Sequence, residues 1–102
     1  DISEGPTMST IRISRTHGTT VKKAKAAVET IADELAQEFE INYEWDGSTL
    51  NFSRSGVQGT MVVERHTLEI DAELGLVMRM LKSRIEREIH RYCDEQFGPQ
   101  PD

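Results

Sequence analysis

Three histidines and one cysteine are the side chains of this chain best suited to metal binding or nucleophilic catalysis. They are His17, His66, His90 and Cys93. A metal site needs ligands that converge, and the sequence brings together only Glu86 and His90, four positions apart on a predicted helix. That pair can take up zinc or nickel adventitiously, but we expect it to be a solvated pair. We therefore predict no catalytic residue, no metal site and no cofactor.

His17 and Cys93 have specific expected roles. His17 leaves the first predicted strand, and two interpretations are open: a functional loop residue, or a side chain whose hydrogen bond stabilises the turn. Cys93 lies at the margin of an apolar helical stripe, and His90 points to a different side of that helix. A cysteine nucleophile needs an adjacent base. We therefore predict a half-buried cysteine without catalytic function.

Carboxylates occur at alternate positions in two predicted strands. They are Glu69, Asp71 and Glu73 in one strand, and Glu40, Glu44 and Asp46 in another. Alternation places each set on one face of a sheet, which we expect to be the face without helices. Three roles are open: solubility and protection of the open sheet, binding of a basic partner, or loose binding of divalent cations. The candidate partner-binding residues are Glu69, Asp71, Glu73, Glu40 and Glu44, with His17 as a candidate loop residue.

Length and charge restrict the classes of protein to be considered. The chain has 102 residues, enough for one domain, and a net charge of −6. An acidic chain lacks the field that attracts nucleic acid, so we expect no nucleic-acid partner. The apolar runs are shorter than the ~20 residues of a membrane-spanning helix. A single cysteine excludes an intrachain disulfide and is typical of a reducing, cytoplasmic compartment.

Hydrophobic periodicity predicts the order strand, helix, four strands, helix. Residues 10–15 alternate as a short strand, and apolar residues then recur every three or four positions from Val21 to Phe39. A period of two returns over residues 41–73, interrupted by turn sequences such as Asp-Gly and Ser-Gly. A last amphipathic helix, with Val77 in its apolar stripe, is predicted to follow Gly75 and to end near residue 97.

The two amphipathic helices each need an apolar surface, and the sheet offers one such face. The predicted fold is α+β, a two-layer sandwich with both helices on one face of a curved antiparallel sheet. The β-α-β-β-β-β-α order is similar to the TATA-box-binding-protein-like and helix-grip architectures. We expect one domain over residues 8–97, an added segment at 1–7 before a native start at Met8, and a disordered tail at 98–102.

Four stretches of the chain resemble one bacterial family. They are IRISRTH (11–17), FSRSGVQGTM (52–61), LEIDAELG (68–75) and KSRIEREI (82–89). Over about residues 9–97 the chain resembles the polyhydroxyalkanoic acid (PHA) system family, small bacterial proteins associated with PHA storage granules. The family pattern also has a histidine where His17 stands. The resemblance implies a biological setting and no catalytic residues.

The resemblance favours a non-enzymatic accessory protein of PHA storage, which binds the granule surface or granule-associated proteins. The alternative is a small helix-grip-like carrier or enzyme, with an apolar acyl ligand between the sheet and the C-terminal helix. Tyr43, Trp45 and Phe52 are bulky enough to fill that space, and a domain of this length leaves little room for a pocket of ~300 Å³. We expect a cytoplasmic, granule-associated monomer or weak homodimer, with the first strand at a sheet edge.

Overall fold

The computed structural model describes residues 9–75 and 78–98 of the chain. Its helices and strands follow the predicted order. They are β1 (Ser9–Thr16), α1 (Val21–Phe39), β2 (Asn42–Asp46), β3 (Thr49–Arg54), β4 (Val57–Val63), β5 (Thr67–Leu74) and α2 (Lys82–Phe97). The expected added segment at 1–7, Val77 and the tail beyond Gly98 lie outside the described residues.

The strands form one five-stranded antiparallel sheet in the order β1-β5-β4-β3-β2. Strands β2 to β5 form the predicted meander, with positive φ angles at Gly47 and Gly56 in two of its turns. Strand β1 joins the sheet by pairing with β5, so that Ile13 lies opposite Ile70. The predicted position of β1 at a sheet edge is therefore confirmed, and β2 forms the other edge.

Helix α1 begins and ends where its apolar periodicity predicts. The Thr20 hydroxyl accepts a hydrogen bond from the Lys23 backbone N–H at 3.1 Å, which satisfies one free donor of the first turn. The apolar stripe is buried against the sheet from Ala24 to Phe39, although Val21 is 36% exposed. Glu40, with a φ of +59°, ends the helix in the left-handed conformation.

Helix α2 begins later than its periodicity predicts. A 3₁₀ turn at Met78–Leu81 precedes it, and Leu81 lies at its N-cap position without a side-chain cap. The α-helical part buries Ile85, Ile89, Tyr92 and Cys93, and Gly98 follows its last residue as expected. The prediction of a half-buried Cys93 was wrong, because its side chain is fully buried in the core.

Gly59 of β4 lies where two strands and an aromatic ring meet. An added Cβ would lie 2.2 Å from the Asp71 carbonyl oxygen, 2.7 Å from the Phe52 ring and 2.8 Å from the Ala72 Cα. Phe52 pairs directly with Gly59 across β3 and β4, so its ring covers the position. These nearest atoms belong to the sheet itself and not to a helix. The absent side chain permits close packing within the sheet.

Candidate functional site

The outer face of the sheet, opposite the helices, forms a groove of about 890 Å³. Thr10 and Arg12 of β1 line it on one side, and Asn42 and Glu44 of β2 line it on the other. Because β1 and β2 are opposite edges of the sheet, one groove includes both only if the sheet curves around it. The sheet is therefore curved, as predicted, and its concave side is the face without helices. We call this concavity the sheet groove.

Strand register arranges the polar lining of the sheet groove in two rows that cross all five strands. The first row, from β1 to β2, is Arg12, Asp71, Thr60, Asn51 and Glu44. The second row is Thr10, Glu73, Gln58, Ser53 and Asn42. Neighbours within a row are separated by the strand spacing of about 4.8 Å, and the rows lie about 7 Å apart. The lining is thus a regular array of amide, hydroxyl and charged groups.

Most of the chain's excess negative charge lies on this outer face. One arginine, Arg12, stands against five carboxylates, which leaves a net charge of −4 out of −6 for the chain. The carboxylates are Glu44, Asp46, Glu69, Asp71 and Glu73. The prediction that acidic residues gather on the face without helices is confirmed for these five. Such a face repels phosphate and attracts cationic groups.

The three predicted acids of β5 have polar neighbours on the adjacent strands. Glu69 accepts a hydrogen bond from the Ser14 hydroxyl at 2.7 Å, and Asp71 lies 3.5 Å from the Arg12 guanidinium. The Gln58 amide donates to Glu73 at 3.3 Å. Like charges on neighbouring strands would repel one another, but β5 lies between β1 and β4, and β2 is three positions away. The separation relieves that repulsion.

The two candidate partner-binding acids near β2 occupy different environments. Glu44 projects from β2 into the sheet groove. Glu40 precedes β2 and ends α1, so its predicted position on the face of that strand was wrong. The sheet groove therefore contains Glu44, Asp71 and Glu73, whereas Glu69 lies beside it in the next row along β5.

The sequence profile of one protein family matches residues 11–97 of the chain. Its description is "Putative polyhydroxyalkanoic acid system protein". The chain belongs to this family. The match spans most of β1 and every other element of the fold, and it confirms the resemblance seen in the sequence. No curated protein and no solved structure matches this PHA system family member.

His17 of this PHA system protein is buried away from the sheet groove. Its Nδ1 accepts a hydrogen bond from the Thr19 backbone N–H at 3.2 Å, which leaves the proton on Nε2. Nε2 then donates to the Glu64 carbonyl oxygen at 2.7 Å. The side chain thus joins the end of β1 to the turn between β4 and β5. These bonds support the turn-stabilising interpretation of His17.

Arg15 is a buried charged residue that sequence reasoning missed. Its side chain is 3% exposed, and its guanidinium lies against the C-terminal end of α2. It donates to Asp94 Oδ1 at 2.7 Å and to the backbone oxygens of Gly98 and His90 at 3.2 and 3.4 Å. A cation at this position satisfies the Gly98 carbonyl beyond the helix and interacts favourably with the negative end of the helix dipole. The alternation of β1 indicated this burial, because Arg15 lies on the same side of the strand as the buried Ile11.

Two aromatic residues of β2 contact the polar flank of α1 and lie only half within the core. The Trp45 indole N–H donates to Glu29 Oε1 at 2.5 Å, and the Tyr43 hydroxyl donates to Glu29 Oε2 at 2.7 Å. Asp33 shares this single hydroxyl proton with Glu29. Hydrogen bonds to Asp33 and Glu29, together with burial, raise the pKa of Tyr43 above its usual range. These contacts hold the edge strand β2, and with it Glu44, against α1.

No cluster of three or more His, Cys, Asp or Glu residues with metal-binding geometry occurs among residues 9–75 and 78–98. Within the same ranges, no helix combines the length and the apolar character required to cross a membrane.

Burial raises the pKa of the Cys93 thiol to about 11, although the Arg15 charge acts in the opposite direction. Cys93 is therefore a protonated core residue at neutral pH.

Cys93 is expected to resist thiol reagents in the native protein. At pH 8, labelling by iodoacetamide should be at least a hundredfold slower than in urea, because the thiol is both buried and protonated. The free energy of unfolding should fall as the pH rises from the ordinary thiol pKa towards the raised value of about 11. In that range the Cys93 thiol ionises in the unfolded chain but stays protonated in the folded protein. Mass spectrometry of timed samples measures the rate. Rapid labelling of the native protein would contradict this assignment.

Proposed function

We propose that this PHA system family member is a non-enzymatic accessory protein of PHA storage, which binds the granule surface or granule-associated proteins through the sheet groove. Family membership supplies the biological setting. The observation that carries the proposal is the groove itself, a concave array of polar groups across all five strands. Neither histidine nor cysteine is among its lining residues. Its chemistry is that of a binding surface, with carboxylates, amides and hydroxyls in register.

The packing of the core does not support the alternative acyl-ligand carrier. That function needs open space between the sheet and α2. Buried side chains occupy the core, among them Met61 and Ile70 from the sheet and Ile85 and Ile89 from α2. Besides the sheet groove, the described residues form a smaller groove of about 470 Å³, which lies between the start of α1 and the end of α2. Both concavities lie outside the space that the alternative requires.

The proposal places the protein in the cytoplasm, at the granule, as a monomer or weak homodimer. Edge strand β1 supports the dimer option, because its outer edge lacks a neighbouring strand within the sheet that the structure describes. A second copy of β1 would continue the antiparallel pattern there.

Changing Glu69, Asp71 and Glu73 together to glutamine is expected to weaken granule binding without unfolding the protein. All three side chains lie on the outer face, so the free energy of unfolding should change by less than about 1 kcal/mol. Co-sedimentation with isolated PHA granules should fall about tenfold at low ionic strength, and less at high salt. Circular dichroism checks the fold in parallel.

The matched control changes Glu86, Glu88 and Glu95 of α2 to glutamine. This triple variant undergoes the same change in net charge away from the sheet groove. Its granule binding should stay within about twofold of the unchanged protein. Equal losses in the two triple variants would show that net charge, and not the sheet face, controls binding. Undiminished binding by the first variant would contradict the proposal.

A further inference from the structure

The sheet groove has one half whose polar groups are paired and one half whose polar groups are open. The Arg12–Asp71 ion pair connects β1 to β5, and a hydrogen bond from Gln58 connects β4 to Glu73 of β5. On β2, β3 and β4, five polar side chains make no side-chain hydrogen bond or ion pair with any residue in ranges 9–75 and 78–98. They are Asn42, Glu44, Asn51, Ser53 and Thr60. This second half, the open half, can exchange water for a ligand without breaking contacts of the fold.

The hydrogen-bonding groups of the open half match a polypeptide. Asn42 and Asn51 each offer an amide that both donates and accepts, and Ser53 and Thr60 offer hydroxyls that do the same. Peptide groups present one N–H and one C=O per residue, so they can satisfy both kinds of group. A polyester offers only acceptors, which cannot satisfy the carboxylates of Glu44, Asp71 and Glu73. Phosphate head groups are repelled by the net negative face.

The spacing of the carboxylates specifies where the cations of such a polypeptide would lie. Glu44 and Asp71 belong to the same row but to β2 and β5, three strand intervals apart, or about 14 Å. An extended chain advances about 3.3 Å per residue, so two basic side chains four positions apart span a similar distance. The Arg12–Asp71 pair is exposed at both partners and exchanges readily for another cation.

We infer that the sheet groove binds an extended segment of a partner protein that carries lysine or arginine residues about four positions apart. The segment lies across the strands, with its main chain on the open half and its cations at Glu44 and at Asp71 with Glu73. This inference rests on the proposed function. Of the possible partners at the granule, it selects a protein and not the PHA polymer or a lipid layer.

The test uses a synthetic nonapeptide of threonine and serine with lysines at positions 3 and 7, acetylated and amidated at its ends. Nuclear magnetic resonance titration of the full chain should shift the backbone amide signals of Glu44, Asn51 and Thr60. A peptide with glutamine in place of both lysines should bind at least fivefold more weakly at low salt. A 3-hydroxybutyrate trimer and phosphatidylglycerol vesicles should leave the three signals unchanged.

Variants locate the cation sites in the same titration. Glu44→Gln should weaken binding of the lysine peptide about threefold, and Glu44→Gln with Asp71→Asn about tenfold. Glu40→Gln is the matched control, because it removes one charge outside the sheet groove; its affinity should stay within about 1.5-fold. Equal weakening by Glu40→Gln, or peptide-induced shifts confined to the helices, would overturn the inference.

The remaining outcomes separate this inference from the proposed function. Shifts in the groove caused by the trimer or the vesicles, but not by the lysine peptide, would overturn the inference and leave granule binding through the groove standing. Binding of the lysine peptide in the groove, with granule binding unaffected by the triple glutamine variant, would support the inference on partner chemistry and overturn the proposed function.

Discussion

Replacing Arg15 with alanine is expected to lower the free energy of unfolding by about 3 kcal/mol. The guanidinium is almost fully buried and donates to Asp94 and to the backbone oxygens of Gly98 and His90. Truncation removes the donor to the Gly98 carbonyl and leaves a cavity where the long side chain lay. The Asp94 carboxylate, half exposed, regains water and limits the loss. Urea denaturation followed by circular dichroism measures the change.

Arg12→Ala is the matched control for Arg15→Ala. It removes the same side chain from the same strand, but Arg12 is 82% exposed and lies 3.5 Å from a partly exposed Asp71. An exposed pair contributes little, so the cost should be below about 0.5 kcal/mol. Hydrogen exchange should also separate the two variants, because only Arg15→Ala should speed exchange in the last turn of α2. Similar small costs for both would contradict the structural role of Arg15.

Gly59→Ala is expected to destabilise the protein by about 3 kcal/mol or to prevent folding altogether. Its Cβ would lie 2.2 Å from the Asp71 carbonyl oxygen, and β5 cannot move away without breaking its pairing with β4 and β1. The Phe52 ring also blocks the position. Circular dichroism and the urea midpoint measure the effect, and an accompanying Phe52→Leu change should recover only part of the loss, because backbone atoms remain in the way.

Gly75→Ala provides the comparison for Gly59→Ala. Neither glycine has a positive φ, and among the described residues an added Cβ at Gly75 would come nearest to the Gly56 carbonyl oxygen, at 3.6 Å. That is an ordinary contact, so Gly75→Ala should cost less than about 1 kcal/mol. A well-folded Gly59→Ala protein of unchanged stability would show that β4 and β5 are not packed as closely as the structure indicates.

The local pattern of the chain was enough to predict its elements and their faces. Periods of two and of three to four identified the strands and helices, because each element must bury one side. Asp46 followed by Gly47 marked a hairpin, since a tight turn favours positive φ. The same alternation placed Asp71 and Glu73 on the face without helices. These features depend on neighbours within about four positions, which the sequence displays directly.

Tertiary structure decided the features that depend on residues distant in the chain. The pairing of β1 with β5 set the register that aligns Arg12, Asp71, Thr60, Asn51 and Glu44 in one row. Curvature of the sheet then turned a polar face into a groove. Neither can be derived from alternation, which specifies a face but not the neighbouring strand.

Burial of polar side chains was also decided in three dimensions. Arg15 and His17 lie in the chain among ordinary strand and loop residues, yet both are buried because α2 and the β4–β5 turn pack over them and supply hydrogen-bond partners. Glu40 lies off the predicted strand because it ends α1 in the left-handed conformation, and β2 begins only at Asn42. Hydrogen-bond partners from distant residues offset the cost of burying these polar groups, and the local sequence contains no record of those partners.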